Sequence, residues 1–205
     1  GWGIDVDDFL DAFSPDTLRY VLTMNMPESR DADFFWKDFQ ARANNELADI
    51  LGNFVHRTAT FAQKHFSGRV PERGSLSDRD REFLALLNST PAAAGASLEK
   101  YRFRDAMTEI MNLARAANKY FNDNEPWKMV KEDKARCATG INLCLQAVRA
   151  LAILVEPVLP FASAKLWAML RLNGSPWEAG WLSAGAADLP PGQRLKQPAI
   201  LFSKM

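Results

Sequence analysis

Asn53 and Arg57 stand one helical turn apart, so a planar amide and a planar guanidinium would project side by side. Both groups form two-pronged hydrogen bonds of the kind that read nucleobase edges or carboxylates. They belong to a longer polar stripe of Asn45, Asp49, Asn53, Arg57, Thr60 and Lys64, which lacks the Glu/Lys mixture of an ordinary solvated face. On spacing alone this is either a solvated helix face or a reading surface. A second candidate is Pro126-Trp127, directly after the polar turn Asn122-Asp123-Asn124. A tryptophan so placed is either a plug between helices or an exposed platform on which an unstacked base could rest. Pro176-Trp177 repeats the dipeptide in a tail rich in Gly, Ser, Pro and Ala, where Trp177 and Trp181 are expected to anchor the tail.

Nothing comparable points to catalysis. A di-iron bundle needs Glu-x-x-His pairs, and the positions three before His56 and His65 hold Asn53 and Ala62. No glycine-rich phosphate loop or nucleophile elbow occurs. Two His and two Cys at these spacings assemble no zinc cluster. Cys137 and Cys144 lie in one helical stretch, separated along its axis by roughly 10 Å, too far for a disulfide. Reduced, buried thiols of a cytoplasmic protein are expected. No catalytic or metal-binding residue is expected in the chain.

The 205 residues carry 25 basic and 25 acidic side chains. That balance argues against coating nucleic acid through bulk charge and leaves room for reading a few bases by local chemistry. With 47% hydrophobic residues the chain can build a real core. The most apolar segment, residues 147–161, is broken by Arg149, Glu156 and two prolines, so no membrane span and no membrane partner are expected.

The elements that must position these groups are helices. Apolar residues at Trp36, Phe39, Ala43, Leu47, Ile50/Leu51, Phe54, Thr58, Phe61/Ala62 and Phe66 recur by threes and fours and predict one long amphipathic helix. It would span roughly 45 Å, with Asp33 as N-cap and Ser67-Gly68 as its stop. Ahead of it come a short strand at residues 4–6, a helix to Phe13, and a helix opened by Ser14-Pro15. Ser77 and Asp80 form a capping box for a helix ending near Ser89, after which Pro91 either kinks it or starts another. Helices over residues 103–121, 133–155 and 161–172 follow, then an irregular tail whose apolar run, residues 198–202, docks on the rest. The expected fold is all-α, an antiparallel bundle of about five helices. It divides into a leading segment (1–33), the bundle (34–172) and a tail (173–205).

Three segments together resemble the methionyl-tRNA synthetase family. One is Asp16-Thr-Leu-Arg19-Tyr20-Val-Leu with Asp33-Phe-Phe-Trp36-Lys-Asp-Phe39, like the segment that joins the family's catalytic domain to its helical bundle. The second is Asn44-Asn-Glu-Leu-Ala-Asp-Ile-Leu-Gly-Asn53-Phe-Val-His-Arg57. The third is Phe103-Arg-Asp-Ala-Met-Thr-Glu-Ile110-Met-Asn-Leu-Ala-Arg-Ala-Ala-Asn118-Lys-Tyr120, closing on Pro126-Trp127. The run Pro198-Ala-Ile-Leu-Phe202-Ser-Lys204 fits the segment after the family's bundle, and the resemblance covers nearly the whole chain.

The resemblance implies that the bundle binds the CAU anticodon of tRNA(Met). Trp127 after Pro126 would stack on the first base, cytosine, while Asn53 and Arg57 hydrogen-bond its Watson–Crick edge; His56 would project to another face. The family's His-Ile-Gly-His-type motif, Lys-Met-Ser-Lys-Ser loop and zinc-bearing insertion have no counterpart in the sequence. By the resemblance the chain is a C-terminal part of a methionine–tRNA ligase, inactive alone, whose catalytic domain is its partner and carries the ATP and magnesium chemistry, with zinc in the insertion. The tail would fold back along the bundle toward that domain. The rival readings are a helical protein–protein interaction module and a related bundle from the valine, isoleucine, leucine or cysteine enzymes. Gly-Asn-Phe-Val-x-Arg with Pro-Trp argues for methionine.

Overall fold

The periodicity from Trp36 to Phe66 folds as one rod in three parts. In the computed structural model, which describes residues 6–28 and 33–205, helix α3 (Trp36–Arg42) runs into a π-helical segment (Ala43–Gly52) and then into α4 (Asn53–His65). The π segment ends where the Asn53 N–H reaches back to the Ala48 carbonyl. Such wide turns are rare and tend to occur at functional sites. The apolar positions between Phe39 and Phe66 lie in the core or against it, and only Trp36 is substantially exposed. At the far end the Gly68 N–H bonds the Ala62 carbonyl at 3.1 Å, with both Ser67 and Gly68 at positive φ, the stop that the sequence signals.

The start of the rod differs from expectation. Asp33 is not its N-cap: the cap is Phe35, extended and without a side-chain bond. The entry is fixed instead by aromatic packing, with Phe34 edge-on to Trp36 at 5.3 Å and Phe9 and Phe13 each 5.2 Å from Phe39. Those last two come from or just after α1 (Val6–Ala12). Helix α2 (Pro15–Met24) begins as expected, capped by Ser14 with Pro15 in its first turn. The strand expected at residues 4–6 falls almost wholly outside the described residues.

The bundle is completed by α5 (Asp78–Leu98), α6 (Phe103–Asp123), a short α7 (Pro126–Glu132), α8 (Lys134–Leu154) and α9 (Pro160–Met169). The capping box on α5 forms as predicted, with Ser77 N–H on Asp80 Oδ2 at 2.8 Å and Asp80 N–H on Ser77 Oγ at 3.3 Å. That helix does not stop near Ser89. It runs through Pro91, whose carbonyl accepts the Trp181 indole N–H at 2.6 Å while Thr90 Oγ1 bonds the Leu86 carbonyl at 2.7 Å. Gly95 leaves the room for that ring, since a Cβ there would sit 3.1 Å from the indole nitrogen.

Helix α8 is the axis of the core, buried almost from end to end. By length and composition it could cross a membrane, contrary to the sequence reading, but its apolar surface is spent inside the bundle. Its few polar groups hold the loops. Asn142 donates to the Pro71 carbonyl at 2.8 Å, and the Gln146 amide pairs with both backbone groups of Leu189 at 2.8 and 2.9 Å. Asp16 of α2 caps α9 by accepting the Ala162 N–H at 2.6 Å and the Phe161 N–H at 3.3 Å. Burial pushes its carboxyl up, and those two N–H groups hold the rise down.

After α9 the chain is less irregular than its composition suggests. Ser175 and Glu178 make a second capping box for α10 (Pro176–Ala179), followed by a 3-10 turn (Trp181–Ala186). The remainder packs back on the bundle. The Val70 N–H donates to the Gln193 carbonyl, the Gly192 N–H to the Val70 carbonyl and the Leu195 N–H to the Gly68 carbonyl, at 2.8–2.9 Å. The last residues lie against the π segment: Asn44 grips the Met205 backbone, Lys204 pairs with Asp49 at 2.7 Å, and Phe202 comes close to Gly52.

Candidate nucleic-acid interface

Asn53 is the first residue of α4, directly after the π segment, and its side chain is exposed. Among the described residues its amide has no hydrogen-bond partner. Arg57, one turn on, is half-buried and held. Its guanidinium carbon lies 4.6 Å from the centroid of the Phe121 ring, and Nη2 donates to Asn122 Oδ1 at 2.8 Å. A guanidinium so placed is oriented by a cation–π contact and one hydrogen bond, with its other N–H groups left over.

Phe121 also lines a small cavity, about 10 Å³, beneath Pro126, together with Met129, Cys137, Gly140 and Cys144. Pro126 is buried as the first residue of α7, and its carbonyl accepts Cys137 Sγ at 3.7 Å. Glu125 before it takes left-handed backbone angles, φ 40° and ψ 55°, a conformation costly for a side chain with a Cβ. The next residue, Trp127, keeps 45% of its surface exposed. Among the described residues its ring has no aromatic neighbour and its indole N–H no partner. It is therefore not a plug between helices. The other tryptophans with a described role differ: Trp167 donates to the Asn173 carbonyl at 3.1 Å, and Trp181 is tied to Pro91.

The structure thus links Arg57 and Pro126-Trp127 through the end of α6, with Asn53 one turn from Arg57. His56 does not project away from Asn53. Both line an open cleft of about 360 Å³ between the π segment and the tail residues Ile200, Leu201, Phe202 and Lys204. Trp181 anchors the tail as expected, whereas Trp177 does not; it is 76% exposed.

What sequence reasoning missed is the support under this site. Asp80, fully buried, receives both arms of Arg136 at 2.7 Å and the Tyr120 hydroxyl at 2.5 Å, besides the Ser77 N–H. Burial alone would raise its carboxyl pKa, but Arg136, Tyr120 and Ser77 outweigh it and hold the group below the usual carboxylate range. Arg136 Nη2 continues to Asn124 Oδ1 at 2.8 Å, and Tyr120 stacks on Phe83 at 4.3 Å. Ser77-x-x-Asp80 is visible as a cap; nothing local announces its partner on α8. The cysteines are free and buried, and burial pushes the Cys137 thiol up to about 11 and the Cys144 thiol still further, so both are protonated near neutrality.

Residues 1–59 match a family described as tRNA synthetases class I (M), and residues 70–205 match one described as the anticodon binding domain of methionyl tRNA ligase. Fold and matches together define the helical anticodon-binding part of a class I aminoacyl-tRNA synthetase. More narrowly, the chain belongs to the methionyl-tRNA ligase family. It is 47% identical to the methionine–tRNA ligase of Pyrococcus abyssi and 46% identical to that of Bacteroides fragilis, in each case over all of its own length. It spans 27% and 30% of the length of those relatives. The apo crystal structure of Mycobacterium tuberculosis methionyl-tRNA synthetase superposes with a TM-score of 0.91 at 27% identity, covering 98% of this chain and 41% of the other.

Proposed function

We propose that this chain reads the first base of the CAU anticodon of tRNA(Met) with Trp127, Asn53 and Arg57, Pro126 holding the tryptophan in place. The observation that carries this reading is an indole left 45% exposed just past the end of α6, where Phe121 and Asn122 hold the Arg57 guanidinium, with Asn53, whose amide has no partner among the described residues, one turn from Arg57. A base unstacked from its loop gains roughly 1–3 kcal/mol by stacking on an aromatic face. Stacking tolerates every base, so selectivity comes from the edge. The two act as a unit, since only a base held on the ring offers its edge to Asn53 and Arg57, and only a base whose edge they accept stays on the ring. Cytosine presents one exocyclic donor beside two acceptors, which suits an amide oxygen together with an amide or guanidinium N–H. Uracil puts a carbonyl where cytosine has its amine and an N–H where cytosine has its ring acceptor, leaving the Asn53 oxygen opposite an acceptor.

In this reading residues 34–172 form the anticodon-binding domain, 1–33 join it to the catalytic domain, and 173–205 pack on the bundle. The whole ligase, in the cytoplasm, ligates methionine to tRNA(Met) using ATP. Among the described residues no three His, Cys, Asp or Glu side chains are grouped to hold a metal ion. By the same reading the magnesium-dependent ATP chemistry, and any zinc, belong to the catalytic domain, and no step of it runs through the residues discussed here.

Arg57→Lys tests the edge reading. It keeps the charge and loses the planar fork. Titrated with anticodon hairpins, the variant should keep its salt dependence and lose roughly tenfold of its preference for C over U at the first base. An unchanged preference would exclude Arg57 from base reading.

A further inference from the structure

Between the two halves of the proposed site lies a turn that nothing above assigns a role. We propose that Asn124 is a positioning residue for Trp127, clamping the turn that carries both the stacking ring and the partner of Arg57. The inference rests on the anticodon reading just given.

The clamp is two-sided. Asn124 Oδ1 accepts Arg136 Nη2 at 2.8 Å, and its Nδ2 donates to the Tyr120 carbonyl at 2.7 Å. Arg136 cannot drift, because its other contacts are the two oxygens of buried Asp80. Asp80 in turn is fixed by Tyr120 and by its own helix cap, so that its acceptor sites are all engaged. Gly140 of α8 faces the Asn124 side chain; a Cβ there would meet it at 3.7 Å, which leaves the amide seated against the core helix. Arg79 adds a bond to the neighbouring Asp123 carbonyl at 3.0 Å.

The position of Asn124 gives this clamp its consequence. It is the C-cap of α6 and directly precedes Glu125, whose left-handed backbone turns the chain so that Pro126 is buried and Trp127 faces out. A strained residue persists only where its surroundings over-determine it, and Asn124 is the side chain that pins it on the upstream side. Asn122, in the same turn, holds Arg57. One amide therefore keeps the stacking face and the edge-reading guanidinium in a fixed relation, so that the ordering cost is met in folding rather than in binding.

The test uses the full-length protein with Asn124→Ala, Trp127→Ala and the unaltered side chains. Each is titrated with a CAU hairpin and with one changed at the first base, well below its melting temperature. Asn124→Ala should weaken CAU binding by roughly tenfold, the size of losing one well-made anchor. Binding of the changed hairpin should stay the same, so that the ratio of the two affinities collapses. A merely structural role lowers both affinities alike and leaves the ratio intact. An intact ratio in Asn124→Ala beside a lost one in Trp127→Ala would overturn the positioning role alone. Absence of any first-base preference in the unaltered protein would overturn the anticodon reading and this inference with it. Arg136→Lys, which keeps a cation for Asp80 but cannot span to Asn124 as well, should reproduce the loss of ratio; an unaffected ratio would contradict the clamp.

Discussion

Pro126-Trp127 and Pro176-Trp177 are the same dipeptide at the start of two short helices, α7 and α10, and both present an exposed indole. Their foundations differ. Ser175 and Glu178 hold the second pair by a local capping box, with bonds of 2.9 and 3.2 Å, and its cleft is lined by Ile153, Glu156, Pro157 and Trp181. The first pair has no side-chain cap at all. A left-handed Glu125, a buried proline and a clamp reaching through Arg136 to Asp80 hold it, and a guanidinium waits nearby. In the proposed reading an exposed tryptophan is not a reader by itself. What separates the two sites is polar machinery brought in from distant parts of the chain, and machinery of that kind is where a helical bundle acquires specificity.

The sharpest way to break the comparison is to remove each foundation. Asp80→Ala strands a partly buried Arg136 and should cost about 3–5 kcal/mol of stability, whereas Glu178→Ala should cost about 1 kcal/mol or less; denaturant unfolding of both would check it. The Asp80 carboxyl is held below its unfolded pKa, so its contribution is fully present above the ordinary carboxylate range. It should be lost as the pH falls through the depressed folded value. The melting temperature against pH should therefore lose an acid-side slope in Asp80→Asn and keep it in Glu178→Ala. Next in size, Asn53→Ala should cost roughly 1–3 kcal/mol of discrimination at the first anticodon base. Glu156→Ala, in the cleft beside Trp177, should leave hairpin binding unchanged. Ser175→Ala, like Glu178→Ala, should cost about 1 kcal/mol in thermal unfolding, with no effect on RNA binding.

Legibility from sequence followed distance along the chain. The five long helices, the Ser77–Asp80 box, the Gly68 stop and the Asn53–Arg57 pair all depend on neighbours within a turn or two, and each was readable. Asp33 misled because it has the right chemistry for a cap, while the real entry is set by Phe9 and Phe13 packing from another helix. Pro91 was ambiguous because the group that settles it, Trp181, lies far downstream. The π segment leaves no trace, since its apolar residues keep the three-and-four spacing that an α-helix would show. In the proposed site, the candidate side chains could be picked out, but Asn122 beneath Arg57 and the link from Asn124 through Arg136 to Asp80 could not. Resemblance supplied the role expected of Trp127; spacing alone favoured the plug over the platform, and exposure decides against the plug.

The central claim is that Trp127, and not its look-alike, carries first-base recognition. The most direct measurement is an equilibrium titration at low salt of the full-length protein, of Trp127→Ala and of Trp177→Ala, each against a CAU hairpin and one altered at its first base. The account predicts a preference for CAU that survives in Trp177→Ala and vanishes in Trp127→Ala. A preference that survives in Trp127→Ala, or that falls equally in both variants, would contradict it.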